Sequence, residues 1–246
     1  MAGVLAELSR FVAEFGASPT LADMPRRTLA DKGIAGPTAA HAIEEVHAPL
    51  NLAYLTFTTG SSAFQNIVGV TYAELPARVE AARRVFERAG LARGDTVVVS
   101  YPPLVNVFSA AAFEAYGLRC KFLLRSSREA LLAALYEERP AAVVGESSFL
   151  RATLVDAARM GATSELPAGL RFLTAGTPLD LELLEETAKL ENARVHDLYG
   201  CQEFGWLAMD GRALRDDIAL LALTDARGHA LHEVVVGGLP TGDRCV

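Results

Sequence analysis

The feature that most constrains this chain is an alternation of short, wholly apolar runs with longer amphipathic ones. Residues Thr96–Ser100 read TVVVS and Ala141–Gly145 read AAVVG. Such runs of small and β-branched residues leave no face for water, so each is expected to be a strand buried on both faces. Helical patterns stand between them: Arg78–Gly90, ended by glycine, then Val105–Tyr116, Ser127–Glu138, Ser148–Met160, and Leu179 to about Leu190. Further strands are expected at Leu52–Thr58, Cys120–Leu124, Arg171–Ala175 and Arg194–Leu198. After Ala208 the character changes, and Glu233–Val236 is a strand flanked by Gly and Pro. This order predicts an α/β fold: a mostly parallel, doubly wound sheet flanked by helices, with a small C-terminal β element. The expected divisions are a helical segment over residues 1–50, an α/β core over 51–208 and a small β subdomain over 209–246.

Composition narrows the function. With 246 residues, 51% hydrophobic and 22% charged, the chain can bury one sizeable core and is not intrinsically disordered. Its net charge of −7 makes it a poor electrostatic partner for nucleic acid or an anionic membrane. The opening residues place Val4, Leu5, Leu8, Phe11, Val12 and Phe15 at helical spacing, interrupted by Glu7, Arg10 and Glu14. That is an amphipathic helix rather than a secretion signal, and no run approaches the roughly 18 apolar residues of a membrane span. Cys120, Cys201 and Cys245 form no C-x-x-C pair, which points to a reduced compartment. A cytoplasmic protein is expected.

In parallel sheets ligands bind at the carboxyl ends of strands, so the loops there are where chemistry is sought. Thr58-Thr59-Gly60-Ser61-Ser62 offers hydroxyls around one glycine, chemistry suited to phosphate oxygens or to an ordinary polar turn. Ala175-Gly176-Thr177-Pro178 turns a strand into a helix and reads either as a ligand loop or as a plain cap. Asp197-Leu198-Tyr199-Gly200-Cys201-Gln202-Glu203 sets an aromatic ring beside a carboxylate, which suits a stacked base with a metal ion, or a core tyrosine with a surface glutamate. Asp243, in Thr241-Gly242-Asp243, is either a turn residue or an acceptor for vicinal hydroxyls. The five histidines show no metal spacing, and Arg78, Arg83, Arg84 and Arg88 read as the solvated face of one helix.

Taken in order, these segments resemble the adenylate-forming carboxylate ligases, the acyl-coenzyme A synthetase superfamily, and within it the phenylacetate–coenzyme A ligase branch. TTGSSAFQNIVGVT (58–71) is similar to that family's phosphate loop, and MPRRTLADKG (24–33) to a segment upstream of it. AGTPL (175–179) resembles the adenine loop G-G-E-P-L, and DLYGCQE (197–203) the Y-G-x-T-E motif. EVVVGGLPTGDR (233–244) resembles the stretch ending in Y-R-T-G-D. The resemblance implies ATP-dependent activation of a small carboxylic acid, an aryl acid among the candidates, to an acyl-adenylate, with transfer to a coenzyme A or carrier-protein thiol. By the same resemblance, Thr58, Thr59, Gly60, Ser61 and Ser62 would grip the β- and γ-phosphates. Gly176, Thr177 and Pro178 would lie along the adenine, with Tyr199 and Gly200 beside it. Glu203 would hold Mg²⁺, Gln202 would face the α-phosphate and Asp243 the ribose. Tyr101, Val105, Asn106 and Phe108 would wall the acyl pocket.

The departures from the family pattern define the alternative. Ala63 and Phe64 stand where the family has a second glycine and a lysine, so the loop lacks a cation for pyrophosphate. Gln202 replaces a threonine, and Thr177 replaces the glutamate of the adenine loop. The chain stops three residues after Asp243, short of the family's mobile C-terminal domain. A separate chain supplying that domain, a carrier protein and a second copy of the chain are the expected partners. The alternative to a ligase is a degenerate, non-catalytic nucleotide- or acyl-binding scaffold of the same fold.

Overall fold

The computed structural model describes residues 52–57, 67–100, 110–123, 127–224 and 228–245. They fall into two units, one of residues 77–216 and one of residues 1–76 with 217–246. In the second of these, β1 (Leu52–Phe57) pairs antiparallel with β2 (Ile67–Thr71). The first begins on α1 (Leu75–Arg88), which carries the chain to β3 (Thr96–Val99). There follow α2 (Ala110–Tyr116), β4 (Arg119–Phe122), α3 (Arg128–Glu138), β5 (Ala142–Gly145), α4 (Ser147–Arg159), β6 (Arg171–Thr174) and α5 (Glu182–Thr187). Then come β7 (Arg194–Cys201), β8 (Gly205–Met209) and β9 (Arg212–Ala213).

These strands form one seven-stranded sheet in the order β4-β3-β5-β6-β7-β8-β9. The pairings from β4 through β7 are parallel, and β8 and β9 extend the sheet as an antiparallel meander. The expected doubly wound sheet is present, and its two faces show why the apolar runs are continuous. On one face Val97, Val99, Val144 and Leu173 pack against Ala81, Val85 and Phe86 of α1 and Phe113 of α2. On the other, Val98, Val143 and Phe172 pack against Leu131 and Leu135 of α3, Leu150 and Leu154 of α4 and Leu183 of α5. Each of these strand residues thus lies under one helical layer or the other. Aromatic contacts lace the first face: Phe86 lies 5.2 Å from Phe113 and 5.4 Å from Tyr116, ring centre to ring centre.

Some elements differ from the sequence expectation. The helix expected from Leu179 is only Glu182–Thr187, because Asp180 first folds back onto Ser147. β7 runs on to Cys201, since β8 offers it a partner beyond Leu198. Ile67–Thr71, read as part of a loop motif, is the strand that pairs with β1. In the second unit β10 (Ile218–Thr224), β11 (Ala230–Val236) and β12 (Leu239–Cys245) form an antiparallel sheet, the small C-terminal β element. Thr241–Asp243 therefore lies in a strand rather than a turn. The two compact units divide at 76/77 and at 216/217, and β8 and β9 belong to the core sheet. The helical reading of residues 1–50 lies outside the described residues.

One close approach locks the centre of the sheet. Ser100 Oγ donates to Val144 O at 2.9 Å, and a Cβ on Gly145 would lie 2.4 Å from that Oγ and 3.1 Å from Leu150 Cδ2. Gly145→Ala is predicted to destabilise the chain by about 1–3 kcal/mol through overpacking. Urea titration would show a lower midpoint at unchanged slope; an unaltered midpoint would contradict the packing described.

Candidate functional site

Because β3 to β7 run parallel, their carboxyl ends share one edge of the sheet. The chain passes from β3 outward to β4 and then back to β5 on the other side, so the winding reverses between β3 and β5. Ligands of open α/β sheets bind outside the carboxyl ends at such a reversal. The described residues there are Ser100 and the step from Gly145 to Glu146.

Glu146 caps the amino end of α4. Its carboxylate accepts from the amides of Ser148 (3.2 Å) and Phe149 (3.1 Å) and from the Ser148 hydroxyl at 2.9 Å. Its Oε1 also accepts from Thr177 Oγ1 at 2.9 Å, so it reaches across to the loop after β6. Partial burial would raise this carboxyl, but the hydroxyl and amide donors outweigh it and hold Glu146 below the usual carboxylate range. Ser147 adds a second tie, donating to Pro178 O at 3.1 Å and accepting from the Asp180 amide at 3.0 Å. Between these ties Gly176 takes φ 91°, a conformation that favours glycine. Arg151 of α4 then bridges Asp180 at 2.7 Å and Glu182 at 2.8 Å.

The last parallel pairing along β7 joins Thr174 to Asp197. Among the described residues β7 continues through Cys201 paired with β8 alone, so Tyr199 stands half-buried beyond the point where β6 has turned away. At Gly200 a Cβ would lie 2.6 Å from Gly205 O and 2.9 Å from Trp206 Cε3, so only glycine lets β7 and β8 close over the buried indole. Residues 202–204 form the turn between these strands, and guanidinium groups hold its carbonyls. Arg78 Nη2 donates to Gln202 O at 3.0 Å and to Glu203 O, and Arg215 Nη1 donates to Phe204 O at 2.9 Å. The Cys201 thiol is pushed up to about 12, first by burial and then by the Glu203 carboxylate beside it, so it stays protonated at neutral pH.

The structure thus sets Gly176, Thr177, Pro178, Tyr199, Gly200, Gln202 and Glu203 along the carboxyl edge of one sheet. Asp243 lies in the other unit, exposed in β12, its amide donating to Thr241 Oγ1 at 3.1 Å. Thr58, Thr59, Gly60, Ser61, Ser62, Tyr101, Val105, Asn106 and Phe108 fall outside the described residues. Among the described residues, no group of three or more His, Cys, Asp and Glu side chains is placed to hold a metal ion. A single carboxylate such as Glu203 suits Mg²⁺ that keeps its other oxygens from phosphate and water.

Two residues of this region were misread or missed. Arg78 is not on a solvated face: it is 2% exposed. The signal was its place in the stripe Arg78, Ala81, Ala82, Val85, Phe86, which is helical spacing on the buried side. Glu146 carries no motif, and its signal in the sequence is a carboxylate directly after a buried strand and before a helix, where the helix start favours negative charge.

Comparison with known proteins follows the same lines. The model of the AMP-binding enzyme family matches residues 12–221, and that of the MadH C-terminal domain matches residues 210–246. An ACP-SH:acetate ligase of Malonomonas rubra is 54% identical over 243 residues, covering 99% of this chain and 66% of that protein. Among solved structures, a 2-hydroxyisobutyryl-CoA ligase in the postadenylation state superposes with TM-score 0.60 at 16% identity, over 97% of this chain and 58% of that one. The O-succinylbenzoate coenzyme A synthetase of Bacillus subtilis, in complex with AMP, gives TM-score 0.56 at 18% identity, over 77% and 42%. At such identities the structures establish the fold alone. The chain spans just under two thirds of the curated relative's length.

Glu146 offers a test by pH. Its folded pKa is depressed, so its contribution is complete above the unfolded value and is lost as pH falls through the folded one. Glu146→Gln is predicted to cost about 1 kcal/mol near neutrality, the usual scale of a lost cap. In urea titrations at stepped pH, the gap to wild type should shrink below the ordinary carboxylate range; a constant gap would contradict the assignment.

Proposed function

The chain belongs to the AMP-binding enzyme family, and from that premise we propose that it forms the nucleotide-binding part of a ligase that activates a small carboxylic acid with ATP and passes the acyl group to a carrier-protein thiol. The observation that carries this reading is the ACP-SH:acetate ligase relative, matched over 99% of this chain. Its name supports acetate or a similarly small aliphatic acid over an aryl one, and a carrier-protein thiol over coenzyme A.

Two steps are required. A carboxylate oxygen attacks the α-phosphorus of ATP, and the bond to pyrophosphate breaks, leaving an acyl-adenylate. The thiol sulfur, losing its proton, then attacks the acyl carbon, and AMP departs with the former bridging oxygen. Both reactants of the first step are anionic, so the protein's work is alignment and offsetting charge. Gly176 to Pro178, tied to the start of α4, would form one wall for the adenine, and Tyr199 would stack against it. Gln202 would donate its amide to the α-phosphate. Glu203 would hold Mg²⁺, which supplies the positive charge that Phe64 cannot. Asp243 would accept from the ribose hydroxyls, and Thr58 to Ser62 would bind the outer phosphates.

Phe64, where a lysine is expected, also favours a second reading: a scaffold that binds nucleotide without turnover. ATP–pyrophosphate exchange separates the two. The ligase reading predicts exchange that requires acetate or a related small acid together with Mg²⁺. Glu203→Gln should lower it roughly a hundredfold, the scale of one lost electrostatic contact in a transition state. A thermal shift with ATP but no exchange across small acids would favour the scaffold; at a hundredfold excess over Kd, binding adds about 2.7 kcal/mol.

A further inference from the structure

We infer that Arg78 is a positioning residue for the ATP chemistry: from behind the β7–β8 turn it fixes the direction in which Gln202 and Glu203 present their side chains. The inference rests on the ligase reading for the chemistry and on geometry for the positioning. Arg78 leaves the first turns of α1, buried at 2% exposure, and one nitrogen of its guanidinium donates to the carbonyls of both Gln202 and Glu203. In extended backbone, successive carbonyls point to opposite sides. Two successive carbonyls can meet one donor only where the chain between them is turned. The shared donor therefore restrains the backbone between Gln202 and Glu203, and with it the directions of both side chains.

The surroundings make this a purpose-built seat. Gly205, at φ 78°, directly follows the turn, and a Cβ there would lie 3.2 Å from Arg78 Cγ, so the strand packs on the arginine's stem. Arg215 takes the next carbonyl, that of Phe204, so all three turn carbonyls are held by guanidinium groups. The same helix secures the strands beyond: Arg88 donates to the carbonyls of Arg212 and Ala213, and Arg84 to that of Leu214 and to Asp216. A lysine would carry the charge on a flexible stem, without the planar guanidinium whose orientation the packing around it fixes.

The role is a positional one, since Arg78 bonds carbonyls of the turn. Loss of a residue that orients a ligand commonly lowers metal affinity or activity by about tenfold to a hundredfold. The test compares wild type, Arg78→Met and Arg78→Lys by three measurements: ATP–pyrophosphate exchange, its Mg²⁺ dependence, and amide hydrogen exchange of peptides covering residues 201–205 and 142–145. The account predicts faster amide exchange at 201–205 in Arg78→Met while 142–145 stays protected. It also predicts a pyrophosphate-exchange kcat lowered about tenfold to a hundredfold at unchanged KM for the acid, and a higher Mg²⁺ concentration for half-maximal rate. Arg78→Lys should fall between the two proteins, and it carries the test if Arg78→Met does not fold. Unaltered amide exchange at 201–205 would overturn the inference, as would loss of activity that only follows the folded fraction. Wild type without pyrophosphate exchange would instead overturn the ligase reading, and amide exchange alone would then decide whether Arg78 positions the turn.

Discussion

The parallel ladder from β4 to β7 is the constraint on which the rest of this structure depends. Parallel neighbours cannot be joined by tight turns, so every connection must cross the sheet, and the crossing helices cover both faces. Val97 and Val99 lie under α1 and α2, while Val98 lies under α3, α4 and α5. The same rule delivers every carboxyl end to one edge. Glu146, Thr177 and Tyr199 are far apart in sequence and reach that edge because β5, β6 and β7 end there. Their meeting at one edge is a consequence of how the sheet must be wound.

The winding alone does not set the edge rigidly, and polar ties complete it. Glu146 and Ser147 bind the loop after β6 to the start of α4, so two neighbouring strand ends are tied together. Arg78 and Arg215 hold the turn after β7 by its carbonyls. Each tie answers a need of its own: a helix start has unpaired amides, and a turn has unpaired carbonyls. Satisfying those groups from a neighbouring element restrains the backbone on either side of them, and the buried Arg78 and Ser147 are themselves paired in doing so.

The buried strands were legible because TVVV and AAVVG leave no polar face, and a segment buried on both sides has few alternatives. The segments 175–179 and 197–203 stand out in the sequence because strand ends carry glycine, aromatic and acidic residues together, and the fold sets both at the carboxyl edge of the sheet, the second as the end of β7 and its turn. Arg78 was not read correctly, because three other arginines on the same helix suggested a wet face; which one turns inward depends on carbonyls more than a hundred positions away in sequence. Thr177 was read as the loss of a carboxylate from the adenine loop. In the fold a carboxylate stands beside it after all, that of Glu146 on the next strand end. β8, β9 and β12 escaped notice because antiparallel strands are specified by their partners more than by their own residues.

The most direct test of the central claim, that the carboxyl edge of β5 to β7 is the adenylate site, is an experimental structure of this chain with AMP and Mg²⁺. The account predicts the adenine between the Gly176–Pro178 segment and the ring of Tyr199, with the phosphate facing Gln202 and Glu203. Nucleotide bound elsewhere, with those residues still in contact only with protein and water, would contradict it.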